Sequence, residues 1–584
     1  MTENSRVRLV GAASPGVQRM IVLKENLLPI DRWGIFLSIF LLSWVYSLEG
    51  LLRYVYQPYA TAGFQTHSTL ATIGVLRSVI AAAAQPTVAR IADVFGRLEL
   101  VIVSVIFYVV GTAIDGKSHN VETYSAGSVL YQIGFTTIGF LVEVIIADIT
   151  STETRLIFSY VPLMPFLVNP WISGFVSKAV LSITDWRWGI LMWAIIYSVA
   201  AIPLILALWL PLRRIKQAKL LDDIPSPLHN WRTKEMWLAL SSQLDVVGII
   251  LLVAVFALIL VPFTIAGGSS AQWEKPKVIV PLICGGLLLP VWIWWEHKTE
   301  YALVPFKLLT DRAVWGSLGI ACMLTFCWYL QNDFLYTVLI VSFNESIKSA
   351  TNITGLYSFC SVLTGTILGF VVLRVRYLKP FIFAGTLLFL PAFGLLVYFR
   401  GGVGASSHSG MIGGQILLGI AGGFIPYPTQ VSIQVATKPK HLAVMTGLYL
   451  ATYNLGSALG NTVSGAIWTH TLKHSLMNNL PEGFNNATTA QDIFDNPFVW
   501  AKNYPIGTPV RDGINESYRH VQKLLTVAGI CLVLPMIFFS LVLRDPKLSK
   551  KQSLDTAERK RTTEQLGHVD EGNKNKWVRL WRGL

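Results

Sequence analysis

The chain predicts an all-α membrane protein of fourteen transmembrane helices, grouped six, two and six, and three observations lead there. Of its 584 residues 53% are hydrophobic and only 14% charged, whereas an average globular chain is about a quarter charged. Apolar runs close to the ~20 residues needed to cross hydrocarbon recur fourteen times along the sequence. The basic residues between those runs alternate in density: with both chain ends on one side, 32 of the 47 Lys and Arg fall in loops on that side, 11 on the other and 4 within the runs. Short loops rich in Lys and Arg stay in the cytoplasm, so both termini are expected there.

Taken in order, residues 1–32 form a cytoplasmic N-terminal segment, because Arg6, Arg8, Arg19, Lys24 and Arg32 come before any long apolar core and no signal-peptide pattern follows. Six runs near 33–54, 69–89, 98–114, 124–148, 155–177 and 188–211 make an N-terminal half spanning 33–211. Residues 212–244 carry Arg213, Arg214, Lys216, Lys219, Arg232 and Lys234 with Pro225 and Pro227, the composition of a cytoplasmic linker. Two additional spans, near 245–266 and 278–296, occupy 245–312. Runs near 313–341, 351–373, 380–399, 411–435, 442–468 and 521–543 complete a C-terminal half over 313–543. It includes a long external loop, 469–520, which holds two glycosylation sequons, Asn486-Ala487-Thr488 and Asn515-Glu516-Ser517. Residues 544–584 form a basic cytoplasmic tail.

Net charge is +14, and its placement in cytoplasmic loops and tail assigns it to topology and anionic lipid rather than to nucleic acid. The five cysteines all lie in apolar runs and give neither a disulfide framework nor a metal-ligand spacing. No phosphate-binding Gly-rich loop ending in Lys, no nucleophile elbow and no paired helical His is present. The chain is therefore expected to be neither an enzyme nor an ATP-driven pump, with no cofactor and no metal site.

What remains informative is charge inside the membrane, where each ionisable group costs about 2.5–3.5 kcal/mol on insertion scales and marks a functional candidate. Those groups are Glu49, Arg53, Arg77, Glu143 and Asp333. Glu49 and Arg53 stand four apart on one helical face, which suits either a local ion pair or contact with a substrate. Glu143 has no cation on its own helix at that spacing, leaving a partner such as Arg77 on another helix or a carboxyl that holds a proton until exposed. Asp333 lies between Tyr329 and Tyr336 on a run too long to cross without tilting or breaking, an aromatic face with one acid that suits a polar ligand. Tyr54, Tyr56 and Tyr59 end the first run and Tyr449 and Tyr453 share a face of the thirteenth; interfacial anchoring competes with substrate contact for each.

Between the second and third runs stands Ala89-Arg90-Ile91-Ala92-Asp93-Val94-Phe95-Gly96-Arg97, which resembles the loop signature of the major facilitator superfamily, with Val94 where that family has Arg and Ala89 where it has Gly. The resemblance implies the major facilitator fold and a cytoplasmic latch built from Asp93, Arg97, Asp148 and Arg155, pairing across the two halves and opening during transport. An ordinary turn with a helix cap is the competing account.

Further stretches are more specific: Arg53-Tyr54-Val55-Tyr56-Gln57-Pro58-Tyr59-Ala60, His67-Ser68, Ala81-Ala82-Ala83-Ala84-Gln85-Pro86-Thr87, Tyr131-Gln132-Ile133-Gly134, Trp171-Ile172-Ser173-Gly174, Trp186-Arg187-Trp188-Gly189-Ile190 and Met192-Trp193-Ala194-Ile195-Ile196-Tyr197. Together they resemble the fungal siderophore-iron transporters, a fourteen-span branch of the superfamily. The resemblance implies proton-coupled import of ferric siderophores by alternating access, with the ferric chelate, protons and the lipid bilayer as partners and the plasma membrane, or an endosomal or vacuolar one, as location. Glu49, where that family has Asp, and Glu143 are then the proton-coupling candidates. Arg53, Tyr56, Gln57, Tyr59, Arg77, Gln85, Tyr329, Asp333, Tyr336, Tyr449 and Tyr453 are the cavity candidates, and Tyr504, Arg511 and Tyr518 of the outer loop are candidates for capturing the chelate. The same family includes glutathione/proton exchangers, the alternative reading. A drug/proton antiporter fits less well, since the fourth run lacks an Arg and the fifth offers only Asn169-Pro170-Trp171-Ile172-Ser173-Gly174 in place of a Gly-Pro-rich signature.

Overall fold

A computed structural model describes residues 14–63, 70–222, 244–266, 273–299 and 308–549 apart from 402–404, with a few isolated positions between these blocks. Among them there are helices and turns but no strand. An N-terminal helix α1 (Pro15–Asn26) precedes α2 (Pro29–Gly63), α3 (Leu70–Phe95), α4 (Arg97–Lys117) and α5 (Val121–Ile149). Then come the short α6 (Arg155–Ser159), a tight helical stretch over Val161–Leu167, α7 (Asn169–Ile183) and α8 (Trp186–Gln217). The middle pair is α9 (Val246–Ala266) and α10 (Pro276–Lys298). The second half runs α11 (Arg312–Asn332), α12 (Leu335–Val341), α13 (Ile347–Val375), α14 (Lys379–Tyr398), α15 (Ala405–Gly423), α16 (Pro426–Ala436), α17 (Leu442–Asn479), α18 (Ala487–Asp495), α19 (Pro497–Asn503) and α20 (Pro509–Val542).

The described residues of the fourteen apolar runs are mostly helical, and among the described residues ten helices are long and apolar enough to cross a membrane, or eleven if one bent pair counts as a single span. The bent pair is the run expected to be one span at 155–177. Pro162 and Pro165 remove backbone donors there, the chain tightens over Val161–Leu167, and α7 leaves at 61°. The run 411–435 is likewise divided, at the residues between Gly423 and Pro426, and 313–341 is interrupted between Asn332 and Leu335. Helices α3 and α17 lie against each other, Gly447 of α17 seating on the Gln85 carbonyl, so their facing sides carry small and polar groups.

Two separate apolar cores follow from this packing. One joins α1–α5 and α8 around Tyr108, Phe140 and Leu208; the other joins α11–α17 and α20 around Phe389, Leu418 and Trp468. Between α4 and α5 the approach is so close that a Cβ on Gly111 would stand 2.1 Å from the Tyr131 nitrogen, and one on Gly134 2.4 Å from that of Tyr108. Small residues let membrane helices meet at this range, and here they bring Thr112 and Asp115 of α4 beside Ser128 and Tyr131 of α5. The pair α9 and α10 packs on itself and, through α9, on α3.

Helix starts are set by short polar caps: Asn120 accepts from Thr123 N–H, Asp185 from Trp188 and Asp311 from Ala313. Gly96 links α3 to α4 at φ 114, a conformation open to glycine alone, and a Cβ there would stand 2.6 Å from the Glu99 carboxylate. The expected outer loop is shorter than 469–520: α17 continues to Asn479 and α20 already begins at Pro509, leaving 480–508 with the small helices α18 and α19.

Candidate functional site

Four groups of polar side chains are buried in the helical body, and they differ in what they are tied to. The first is a charge network inside the N-terminal half. Arg53 Nε lies 2.5 Å from Glu49 Oε1, its Nη1 2.6 Å from Asp115 Oδ2, and its Nη2 donates to Thr112 at 3.1 Å. Tyr131 donates its hydroxyl to the other Glu49 oxygen at 2.7 Å, and its ring sits 3.5 Å below the Arg53 guanidinium. Glu49, Arg53 and Asp115 are each 2% exposed or less, so the i,i+4 ion pair expected from spacing is present and shares its cation with a second acid. Asp115 was not singled out in the sequence because it follows the apolar run 98–114. Arg77 turns to two amides, Gln132 at 2.9 Å and Gln57 at 3.3 Å, and does not reach Glu143. Tyr56 is fully buried against Gly189 with no hydrogen-bond partner for its hydroxyl among the described residues, a packing role rather than a cavity one. The side chains of Tyr54 and Tyr59, and His67-Ser68, lie outside the described residues.

The second group joins the two halves at their middle. Glu143 on α5 accepts from the Gln430 side chain of α16 at 3.1 Å, with the Tyr427 hydroxyl also bonded to it. Among the described residues no cation pairs with it. Around it Tyr160 and Tyr427 stack obliquely at 5.1 Å, Tyr160 donates to the Gly423 carbonyl at 3.0 Å, and Tyr449 donates to the Pro426 carbonyl at 2.7 Å. Those two carbonyls flank the break between α15 and α16, and the Gly423 carbonyl, at the end of α15, is one that a helix end leaves without an intrahelical donor. Gln85 accepts from Asn454 at 3.2 Å, a further bond between halves, and the Tyr453 carbonyl accepts from Thr325. Gln430, Tyr427 and Tyr160 are neutral residues in apolar runs, and only the Gly422-Gly423 and Pro426 punctuation signals that something other than lipid-facing helix lies there.

Asp333, the third group, sits at the interruption between α11 and α12, half-buried. It accepts from the Ser464 hydroxyl and, with the Asn461 amide oriented to donate, from that nitrogen at 2.8 and 3.0 Å. Tyr329 packs edge-on against Trp328, and Tyr336 faces Phe498 of α19 at 6.3 Å. The two tyrosines expected to share a cavity with Asp333 are thus partly engaged elsewhere, Tyr336 with the segment between α17 and α20.

The fourth group is at the end of the bundle that carries the start of α1 and residues 544–549. Arg97 bonds Asp148 at 3.0 Å and Asp93 at 3.1 Å, and donates to the Ala92 carbonyl at 2.7 Å. Arg155 is buried and donates to the Ala147 carbonyl at 3.1 Å. These bonds all lie within the N-terminal half, where a pairing across the halves was expected of them. Other residues make bonds that cross at this end: Arg376, which caps the C-terminus of α13, pairs with Glu153 at 2.8 Å. Helix α1 seats on the same corner, Gly16 pressed against the Ala92 and Asp93 carbonyls and Lys24 donating to the Thr150 carbonyl at 3.4 Å. Burial, with the Arg155 charge behind it, lowers the Lys24 pKa to about 8.

At the opposite end the capture candidates separate. Arg511 is 1% exposed and donates to the carbonyls of Val341 (2.8 and 3.1 Å), Tyr504 (3.1 Å) and Ala501. Tyr518 is equally buried, edge-on to Trp468 at 5.2 Å. Both belong to the packing of α20, which begins too early for them to stand in a loop. Tyr504 stacks on Trp500 at 5.2 Å and is half-buried. Asn486 is exposed and caps α18, whereas Asn515 lies inside α20 beside the fully buried Ser517. Among the described residues no cluster of three or more metal-binding side chains occurs.

The Major Facilitator Superfamily model matches residues 317–472. Siderophore iron transporter 1 of Saccharomyces cerevisiae is 40% identical over 93% of this chain and 86% of its own length. Siderophore iron transporter ARN1 of the same yeast is 38% identical over 89% and 83%, and mirC of Emericella nidulans 30% identical over 94% and 90%. Among solved structures, a bacterial homolog of the lysosomal transporter Spinster superposes with a TM-score of 0.53 at 14% identity, covering 88% of this chain and 98% of that one, a likeness of fold alone. With apolar helices of spanning length, two helical halves and relatives aligned over nearly its whole length, the chain is a multi-pass membrane protein that belongs to the fungal siderophore-iron transporters of the major facilitator superfamily.

Proposed function

We propose that this protein imports ferric siderophores in symport with protons, by alternating access between two six-helix halves, in a fourteen-span arrangement with both termini cytoplasmic and the plasma membrane as its site. Its relatives named as siderophore iron transporters support the substrate class. The observation that carries the coupling is Glu143: a buried carboxyl whose partners are the Gln430 amide and the Tyr427 hydroxyl of the opposite half. A carboxyl in this position holds a proton while enclosed and exchanges it when water reaches it, and its protonation changes its bond to the other half. That is how a proton gradient biases which arrangement of the halves is preferred. Glu49 suits the role less, because its partners Arg53 and Tyr131 both belong to its own half.

The test is accumulation of radiolabelled ferric chelates, neutral and charged hydroxamates and a catecholate in parallel, by an iron-starved host without its own carriers. Concentrative uptake of at least one chelate, abolished by a protonophore, is expected; binding without accumulation would overturn the reading. Exchange of glutathione or another organic anion for protons is kept as a second reading by one feature: the side-chain bonds of Arg77 go to two neutral amides, a cation available to an anion. Glutathione export by the same cells, with no chelate uptake, would favour it.

A further inference from the structure

After α20 the chain does not leave the body. Residues 544–549 run in non-helical form along the end of the bundle that carries the start of α1. They are first fastened to the C-terminal half: Arg544 pairs with Asp311, the cap of α11, and Asp545 accepts from the N–H groups of Leu378 and Lys379 at 3.3 Å each. Leu548 donates its N–H to the Arg376 carbonyl at 2.9 Å and buries its side chain in the core of that half, 2% exposed.

The next residue belongs to the other half. Ser549 N–H donates to the Thr152 hydroxyl at 3.0 Å, and the Ser549 carbonyl accepts from Glu153 N–H at 3.1 Å and from the Thr152 hydroxyl. Thr152 is fully buried and sits in the turn between α5 and α6, in the N-terminal half. Arg376 stands at the same junction with both its ends engaged, its carbonyl on Leu548 and its guanidinium on Glu153 at 2.8 Å. It is held at φ 63, a left-handed conformation that residues other than glycine seldom adopt.

A segment anchored by three residues in one half and bonded by its tip to the other works as a bolt. We propose that residues 544–549 lock the halves together at this end, with Thr152 as the socket, and that withdrawal of Ser549 from Thr152 and Glu153 is a required step whenever this end opens. The proposal rests on the reading that the halves move against each other. It assigns to Thr152, Arg376, Leu548 and Ser549 a positioning role in transport, apart from the pairs of Arg97 with Asp93 and Asp148, which lie within one half.

Thr152→Val tests it in the full-length protein, because the substitution keeps the shape and removes the hydroxyl that both accepts from and donates to Ser549. Spin labels on cysteines at the exposed positions Arg213 and Arg374, one on each half at this end, report separation once the native cysteines are replaced by serine. The ratio of long to short distances should rise about tenfold or more, the shift expected when hydrogen bonds each contributing roughly a kcal/mol are lost from one state only. Ser151→Ala, next to the socket and bonded within its own half, should leave the ratio unchanged. Should Thr152→Val fail to fold, Ser549→Pro asks the same question by deleting a single N–H donor. Two distances in the parent with a ratio that neither variant moves would overturn the bolt alone; one distance in the parent at every pH and with every chelate would overturn the moving halves and the bolt with them.

Discussion

Arg53 and Glu143 lie in the same half and are both shielded from water, yet their sites are built on opposite terms. At Arg53 one cation is answered by two carboxylates, a threonine and a tyrosine, all from α2, α4 and α5. At Glu143 one carboxyl is answered by an amide and a hydroxyl, both from across the interface. The first arrangement shares one cation between two acids and keeps every partner within one half. The second has no cation among the described residues and places its partners on the other body. Buried charge in this protein therefore has two meanings, and the partner's location separates them more surely than the burial does.

The largest effect that would break this comparison is at Arg53. Arg53→Met strands Glu49 and Asp115 in a low-dielectric interior, a loss of about 3–5 kcal/mol for a broken buried pair, so folded protein should fall sharply in detergent size-exclusion profiles. Adding Glu49→Gln and Asp115→Asn should restore most of it; a stable single variant would mean that water reaches the network.

Glu143→Gln should leave folding intact, since glutamine also offers an oxygen to Gln430, while removing the exchangeable proton. The accumulation ratio of the chelate should fall to about one, with energy-independent counterflow retained, because a fixed neutral side chain cannot convert a gradient into a conformational preference. Undiminished accumulation with an unchanged pH profile would remove Glu143 from coupling.

The same division between committed and available groups sharpens at the outer end. Arg511→Ala leaves buried carbonyls without donors, each costing about 1–3 kcal/mol, so it should lower thermal stability and surface abundance. Tyr504→Ala should raise the half-saturating chelate concentration severalfold at unchanged abundance. If Arg511→Ala altered affinity alone, its bonds to Val341 and Tyr504 would not be structural.

The smallest effect is expected at Lys24. Its pKa is lowered to about 8 in the docked helix against 10.5 when free. Docking of α1 thus carries the full desolvation penalty below about pH 8, gains stability as pH rises from there, and gains no more once the free lysine is deprotonated as well. At pH 7 Lys24→Met should therefore slow amide exchange across residues 15–26. Faster exchange would show that the Thr150 hydrogen bond outweighs the penalty.

How much of this the sequence discloses depends on what kind of residue carries the feature. Long apolar runs locate the long helices but not α1, α18 or α19, and the Glu49–Arg53 spacing foretells their ion pair, because period and charge are local properties. The divisions at Pro162, Pro165 and Pro426 were signalled by the residues themselves, but a hydropathy window averages over them. Asp115 escapes notice at the margin of a run, since its depth depends on how closely Gly111 and Gly134 draw α4 to α5. Gln430, Tyr427 and Thr152 raise no flag at all: neutral polar side chains acquire meaning only from what a distant segment brings opposite them. Arg511 misleads for the reverse reason, as a cation in a stretch read as loop whose helix starts earlier than its apolar run.

The bond from Tyr160 to the Gly423 carbonyl has one further consequence, for hydration. The hydroxyl and the carbonyl satisfy each other only while α6 and the end of α15 are together. Any motion that parts them leaves a donor and an acceptor bare, at about 1–3 kcal/mol apiece unless water takes both places. A dry separation is thus the steepest route and a wet one the shallowest, so solvent entry and parting at this level become a single event.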